Sequence, residues 1–277
     1  ADGMYYLYKL YFRDVDINGK IIETVTYAVD PYANSVSVNG DKGYVLDINE
    51  KSTKPIGFTN HPSPILSEKD DSIIYEMHIR DFTIDESSGV INDLRGTYLG
   101  AVEENTIYKN PYNGKYVKTG IDHLCELGIT HVHLMPIFDF GSVDERFPGS
   151  NNRNWGYDPK NFNVPEGSYC SNPYNPVTRI LELRQMIMKF HERGIRVVMD
   201  MVYNHMMSTV NMDNIVPGYY FRSDYLGRYT NGSGCGNELA SERPMVRKFI
   251  IDSCLHWIKD YKIDGIRFDL MELLDID

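Results

Sequence analysis

Gly194-Ile195-Arg196-Val197-Val198-Met199-Asp200-Met201-Val202-Tyr203-Asn204-His205 runs glycine, apolar strand, then polar cap. It follows a segment with helical spacing, Asn175–Arg193, in which Pro176 suits the first turn and Ile180, Leu183, Ile187 and Phe190 share one face. Gly194 stops that helix, and Ile195–Tyr203 reads as a buried strand. The same grammar occurs on either side. Ile121–Leu127 has helical spacing, stops at Gly128 and feeds the apolar run Ile129–Ile137. Met245–Tyr261 carries Val246, Ile250, Cys254, Trp257 and Tyr261 on one side and leads through Gly265 into Ile266–Leu270. Gly128, Gly194 and Gly265 recur at intervals of roughly 65–70 residues, a repeat of structure rather than of sequence. A further strand-like run, Ser72–Arg80, precedes them.

Alternating helices and strands imply parallel strands joined by helical crossovers, hence a doubly wound sheet or a TIM barrel. No glycine-rich phosphate loop follows any strand, which weakens the nucleotide-binding sheet. Polar residues gather instead just past each strand: Asp81, Asp139, Asp200 through His205, and Asp269. That is the pattern of a TIM-barrel catalytic rim. With four strands of the eight a closed barrel needs, the expected class is α/β, an incomplete (β/α)8 barrel over residues 72–277.

Upstream the grammar is different. Tyr5–Phe12, Ile21–Val29, Ser35–Val38 and Gly43–Ile48 are short, rich in Tyr, Val and Ile, and separated by Asn-Gly turns at Asn18-Gly19 and Asn39-Gly40. Residues 1–50 are therefore expected to be part of a β-sandwich domain. The stretch 51–71, with Pro55, Pro62 and Pro64 among polar residues, reads as a linker.

Composition excludes several functions. Of 277 residues, 42% are hydrophobic and 24% charged, a globular mixture. Acidic residues outnumber basic ones, 39 to 28, and a formal charge of −11 argues against unaided nucleic-acid binding. No apolar run spans a bilayer, and no secretory signal is present; a signal already removed leaves the same sequence, so cytoplasmic and secreted locations both stay open. Cys125, Cys170, Cys235 and Cys254 lack zinc-like spacing; Cys170 and Cys235 lie in loop-like segments where pairing stays open. No metal site is expected from them. Many of the 21 Tyr and 11 Phe fall in Gly/Asn-rich loops, which suits core edges and equally suits flat contacts with sugar rings.

The chemistry sits in two segments. In Asp264-Gly265-Ile266-Arg267-Phe268-Asp269, alternation puts Arg267 and Asp269 on one face of the strand. An Arg beside an Asp keeps the carboxylate ionised and oriented, as a nucleophile requires, and a lone triplet of this kind is also what a structural ion pair looks like. On the neighbouring strand Asp200, Asn204 and His205 supply donors and acceptors that match vicinal sugar hydroxyls.

Asp200–His205 and Gly265–Asp269 resemble the first two conserved regions of the α-amylase superfamily, glycoside hydrolase family 13. Asn154-Trp155-Gly156-Tyr157-Asp158-Pro159 is similar to the signature of its type I pullulanases. The likeness continues through Leu127–Thr130 to Phe138-Asp139-Phe140, Val216–Tyr220 and Ser233–Glu238. It extends to the N-terminal strands, with Asp30-Pro31-Tyr32-Ala33 and Val38-Asn39-Gly40, which look like the tail of a starch-binding-type β domain. The resemblance implies Asp269 as nucleophile and Arg267 as its orienting partner. It implies Tyr157 stacked under the sugar ring at the cleavage point, His205 bonded to that ring, and Asn204 and Asp200 in support. Trp155 would shape the branch-point pocket, with Asn154, Asp158, Asp139 and Asn237 among the substrate-binding residues.

The implied reaction is retaining hydrolysis of α-1,6 bonds in pullulan, amylopectin or limit dextrin. No organic cofactor is expected; calcium is known among relatives, and nothing in the sequence forms a calcium loop. Two departures stand out. Arg153 occupies a place where the signature has Tyr. The family's general acid lies at the end of a fifth strand, whereas this sequence stops at Asp277. Glu272 follows Asp269 too closely to face it across the bond at roughly 5–5.5 Å. The expectation is a truncated chain, inactive or nearly so alone, that either lacks a companion half-barrel or self-associates through exposed strand edges. The alternatives are a non-catalytic α-glucan-binding protein, or another family 13 activity such as isoamylase or branching enzyme.

Overall fold

The computed structural model describes residues 3–147 and 153–275. Its centre is a four-stranded parallel sheet of β1 (Ile74–Met77), β2 (His131–Leu134), β3 (Arg196–Met201) and β4 (Gly265–Phe268). The spatial order is β1-β2-β3-β4. A doubly wound sheet reverses its order at a switch point, and no reversal occurs here. Three helices make the crossovers: α1 (Gly120–Leu127), α2 (Pro176–Glu192) and α3 (Pro244–Tyr261). This is a partial, TIM-barrel-like α/β fold.

The apolar periodicity explains the packing. Ile180, Leu183, Ile187 and Phe190 of α2 are all fully buried against the sheet, where Val132, Leu134, Val197 and Met199 meet them. On α3 the buried face is Val246, Phe249, Ser253, Trp257 and Tyr261, rotated slightly from the expected one, so that Ile250 and Cys254 lie at its edge. Trp257 is wholly buried and its indole N–H donates to the Phe162 carbonyl at 2.9 Å. Gly128 ends α1 at a φ of 70°, as the glycine-stop pattern expects. The third stop falls elsewhere: α3 ends on Lys262 at a φ of 60°, ahead of Gly265. A lysine tolerates that conformation because its ammonium is captured by the carbonyls of His61 (2.7 Å) and Thr59 (3.0 Å).

The N-terminal strands pair two by two among the described residues. Tyr8–Val15 and Ile21–Ala28 form a hairpin, and Tyr5–Tyr6 pairs with Gly43–Tyr44. Ser35–Val38, expected as a strand, contributes a single bridge, Val36 to Gly43. The chain turns away because Asn39 and Gly40 both take positive φ, and Asn39 is captured by the loop beyond β2. Its amide donates to Glu145 at 2.6 Å, and its side chain receives the Glu145 amide. The proline-bearing stretch 51–71 contains three short 3-10 turns and packs on α2. Thr53 is fully buried, and Arg184 of α2 donates to the carbonyls of Ile48 and Thr53. Between β2 and α2, Phe138–Phe140 pairs antiparallel with Pro159–Pro165 and carries the loop that overhangs the sheet. No described helix is long and apolar enough to cross a membrane.

Candidate active site

Strand register assembles the site. Asp200 and Arg267 are direct partners across β3 and β4, so their side chains share one face. Arg267 Nη1 donates to both Asp200 oxygens at 3.0 Å and to Asp269 Oδ1 at 2.7 Å. Asp200 is fully buried. Burial works against the charged guanidinium, but its bonds to the two carboxylates outweigh that and hold Arg267 firmly protonated. Asp269 has its second oxygen bonded by Asn204 Nδ2 at 3.1 Å, while the same amide donates to the Asp269 carbonyl at 2.9 Å. Beyond Asp269 the backbone is strained: Leu270 takes a φ of 43°, a conformation costly for a branched side chain.

Tyr157 reaches in from the overhanging loop and donates to Asp200 Oδ2 at 2.9 Å. Burial and then the Asp200 charge push its phenol well above the ordinary value, so it stays a donor. His205 Nε2 lies 2.8 Å from the Tyr157 carbonyl, which can only accept, so Nε2 carries the proton. Its Nδ1 lies against the Asn204 side-chain oxygen, and burial pushes the ring's pKa down. Asp200, Asn204, His205, Arg267, Asp269 and Tyr157 thus form one bonded network. Asn154 binds Asp158 at 2.6 Å and the Gly156 amide at 3.0 Å, shaping the turn that presents Tyr157. Trp155 stands exposed beside it, with Arg153 stacked over the ring and paired to Asp81 at 2.6 Å. Ser142, Arg153, Asn154, Trp155, Tyr157 and Asp158 line a cleft of about 450 Å³.

Gly156 makes this turn feasible. Its φ is 91°, and a Cβ there would stand 2.8 Å from Pro136 Cβ and 3.0 Å from Phe140. Gly156→Ala is expected to cost roughly 2–4 kcal/mol through overpacking and backbone strain. Urea unfolding checks this, and a change below about half a kcal/mol, the range of an ordinary surface substitution, would contradict it.

Two expected site residues are placed elsewhere. Asn237 pins the loop after His205, bonding the Met206 amide and carbonyl at 3.0 and 2.8 Å. Asp139 is buried under the loop with Glu145 and Glu166, bonded to Asn161 at 2.7 Å and facing Arg179 at 3.4 Å. The strand Phe138–Phe140 turns Asp139 toward α2, not toward Asp269. Asp139, Glu145 and Glu166 have oxygens within 4.8 Å of one another, the only described carboxylate cluster that tight. They do not fit calcium. Amides already donate to both Glu166 oxygens and both Glu145 oxygens, and Arg179 holds the cation position between Asp139 and Glu145. The four cysteines are free thiols, with Cys170 buried and Cys235 exposed.

The sequence alone did not single out His133. It faces inward from β2, with Nε2 3.6 Å from Asp200. Its only sequence signal was strand alternation.

Comparison with known proteins identifies the company this arrangement keeps. The profile described as the alpha amylase catalytic domain matches residues 115–216. A curated relative named pullulanase, from Bacillus subtilis (strain 168), is 46% identical over 94% of this chain and 34% of its own length. Isoamylase 3, chloroplastic, from Oryza sativa subsp. japonica is 35% identical over 99% of this chain and 36% of its own. The crystal structure of a pullulanase from Paenibacillus barengoltzii, in complex with maltohexaose and α-cyclodextrin, superposes with a TM-score of 0.88. It is 46% identical and covers 98% of this chain and 40% of that one. The chain spans about a third of the length of the curated relatives it matches.

Proposed function

We propose, for a chain that belongs to the α-amylase superfamily (glycoside hydrolase family 13) on its type I pullulanase branch, that the Asp269 network performs the first half of a retaining cleavage of α-1,6-glucosidic bonds. The observation that carries this is the bonding of Asp269. Arg267 and Asn204 each fix one of its oxygens, so the carboxylate is held and aimed. An oxygen of Asp269 attacks the anomeric carbon, the glycosidic C–O bond breaks, and the leaving oxygen takes a proton from a general acid. Water then attacks the same carbon of the glucosyl ester, losing its proton to that group, and Asp269 is released. Tyr157 lies flat under the ring undergoing cleavage, and His205 with Asn204 holds its hydroxyls. Trp155, Asn154 and Asp158 shape the pocket on the side of the branch. Asp139 and Asn237 act indirectly, by supporting the loops. The substrate class is an α-glucan: pullulan, amylopectin or limit dextrin.

No described residue is assigned as the acid. Asp200 is the other carboxylate of the network, and its oxygens are taken by Arg267 and Tyr157. The chain by itself is therefore expected to bind glucan and to turn it over slowly, short of the roughly 10²–10⁴-fold that an acid contributes. We read residues 72–277 as the first half of an eight-stranded barrel, with 1–50 as part of a carbohydrate-binding-type β-sandwich and 51–71 joining them.

An activated donor makes the test independent of a general acid. With a 5-fluoro maltotriosyl fluoride, fluoride departs with the bonding electron pair and needs no proton. Incubation should add one glycosyl mass, and peptide mapping should place it on Asp269. A label on another residue would overturn the assignment. Isoamylase-type action is the second reading, because a relative of that name is nearly as widely matched. Pullulan against glycogen, with a chain carrying the acid, separates the two.

A further inference from the structure

The inward faces of β1 to β3 carry a polar residue that the mechanism above does not use. His133 sits on β2, in register with Glu76 of β1 and Val198 of β3. Its side chain is 14% exposed. Nδ1 lies 3.6 Å from Glu76 Oε1, and Nε2 lies 3.6 Å from Asp200 Oδ2. Nε2 is buried and has no hydrogen-bond partner.

The geometry points to His133 as a positioning residue for the nucleophile, acting on Asp200 and through it on the guanidinium that orients Asp269. This rests on the reading of Asp269 as nucleophile. A single nitrogen, Arg267 Nη1, serves three oxygens of two carboxylates. Two anions share one cation, so a small turn of Asp200 draws Nη1 away from Asp269. Asp200 Oδ2 is held by Tyr157 and by Arg267; His133 is the group on its remaining side. A buried N–H without a partner is costly, and an approach of about half an ångström brings Nε2 into hydrogen-bond range. With Nε2 turned toward Oδ2, the ring braces Asp200 from that side. The titratable and charged groups around the ring are Glu76 from β1, Asp200 from β3 and, beyond Asp200, Arg267 from β4 and Tyr157 from the overhanging loop.

Two measurements on the chain test this. The first needs no ligand: nitrogen-detected NMR of the Arg267 guanidinium, whose Nη rotation is hindered while both carboxylates hold it. His133→Leu should average those signals, and His133→Gln, which keeps a donor of similar reach, should preserve them. The second is the rate of labelling by the glycosyl fluoride. His133→Leu should slow it about tenfold while maltohexaose affinity stays within about twofold, with His133→Gln within about threefold of the parent. Arg267 signals that are indifferent to His133→Leu would overturn the proposal. If the signals respond but even the parent is never labelled, the brace stands and the nucleophile reading fails. Should His133→Leu not fold, His133→Asn, too short to reach Asp200, takes its place with the same expected outcomes.

Discussion

Arg179→Met is expected to destabilise the chain strongly near neutral pH and to recover part of that stability in acid. Arg179 is fully buried and donates to Glu145 at 2.9 and 2.7 Å, to the Pro165 carbonyl at 3.2 Å, and to Asp139 at 3.4 Å. Removing one partner of a buried ionic group leaves charge without compensation and costs about 3–5 kcal/mol. Marginal stability of about 5–15 kcal/mol makes that a large fraction of the whole. Here Glu145 and Asp139 lose the guanidinium that bonds them, and Glu145 also grips the Asn39 amide, so the N-terminal segment loosens as well.

The pH dependence follows from the carboxyls. Burial, then repulsion from Glu145, pushes Asp139 up to about 7, and burial raises Glu166 well above the ordinary value. A carboxyl raised in the folded state contributes stability that is full below its unfolded value and is lost as pH climbs through its folded value. For Asp139 that window runs from 3.8 to about 7. Asp264 opposes it: burial works to raise its carboxyl, but bonds from His191 and the Val197 amide hold it down, so its contribution is lost in acid. Without Arg179, whose charge holds Asp139 down, the Asp139 contribution grows, and the variant should lose more at about pH 8 than at about pH 5. Urea titrations at both values decide it, and an equal loss at the two would show that the cluster is not ionised as described. Adding Glu145→Gln and Asp139→Asn to Arg179→Met should restore stability, since it replaces orphaned charges with neutral groups.

What the sequence revealed, and what it hid, divides by how local the signal was. The helix faces on α2 and the strand cores were legible because burial repeats with the period of the element. Arg267 with Asp269, and Asp200 with Asn204, were legible because alternation and neighbouring strands determine where they point. Asp139 was not. It looked like one more carboxylate at a strand end, but the excursion Phe138–Phe140 pairs with a segment some twenty residues later and aims it at Arg179. Ser35–Val38 had strand propensity and lost to a contact with Glu145 more than a hundred residues away. The proline-rich stretch 51–71 looked like a free linker because its anchor, Arg184, lies on a helix far along the chain. His133 alternates as a strand residue should; that its Nε2 lacks a partner is a fact of three dimensions only.

Asp269→Asn should abolish covalent labelling by the glycosyl fluoride while leaving glucan binding nearly intact. The substitution is almost isosteric and removes the charge. An amide oxygen can still accept from Arg267, but the amide nitrogen would face the Asn204 amide that now donates to Oδ2 at 3.1 Å. The side chain sits at the surface of the network, 15% exposed, so this local conflict is relieved by a small rotation or a water. The chemical loss is much larger. A neutral amide is a poor nucleophile toward an anomeric carbon, and loss of an enzyme's nucleophile costs roughly 10⁴–10⁶-fold. In the proposed reading the groups that contact the sugar are other residues: Tyr157, His205 and Trp155. Maltohexaose affinity measured by calorimetry should therefore change by less than about tenfold, whereas the labelling rate should fall below detection. Labelling that persists would move the nucleophile to another carboxyl. Binding lost together with labelling, in a variant whose unfolding midpoint is unchanged, would make Asp269 a substrate anchor and favour the reading of a glucan-binding protein.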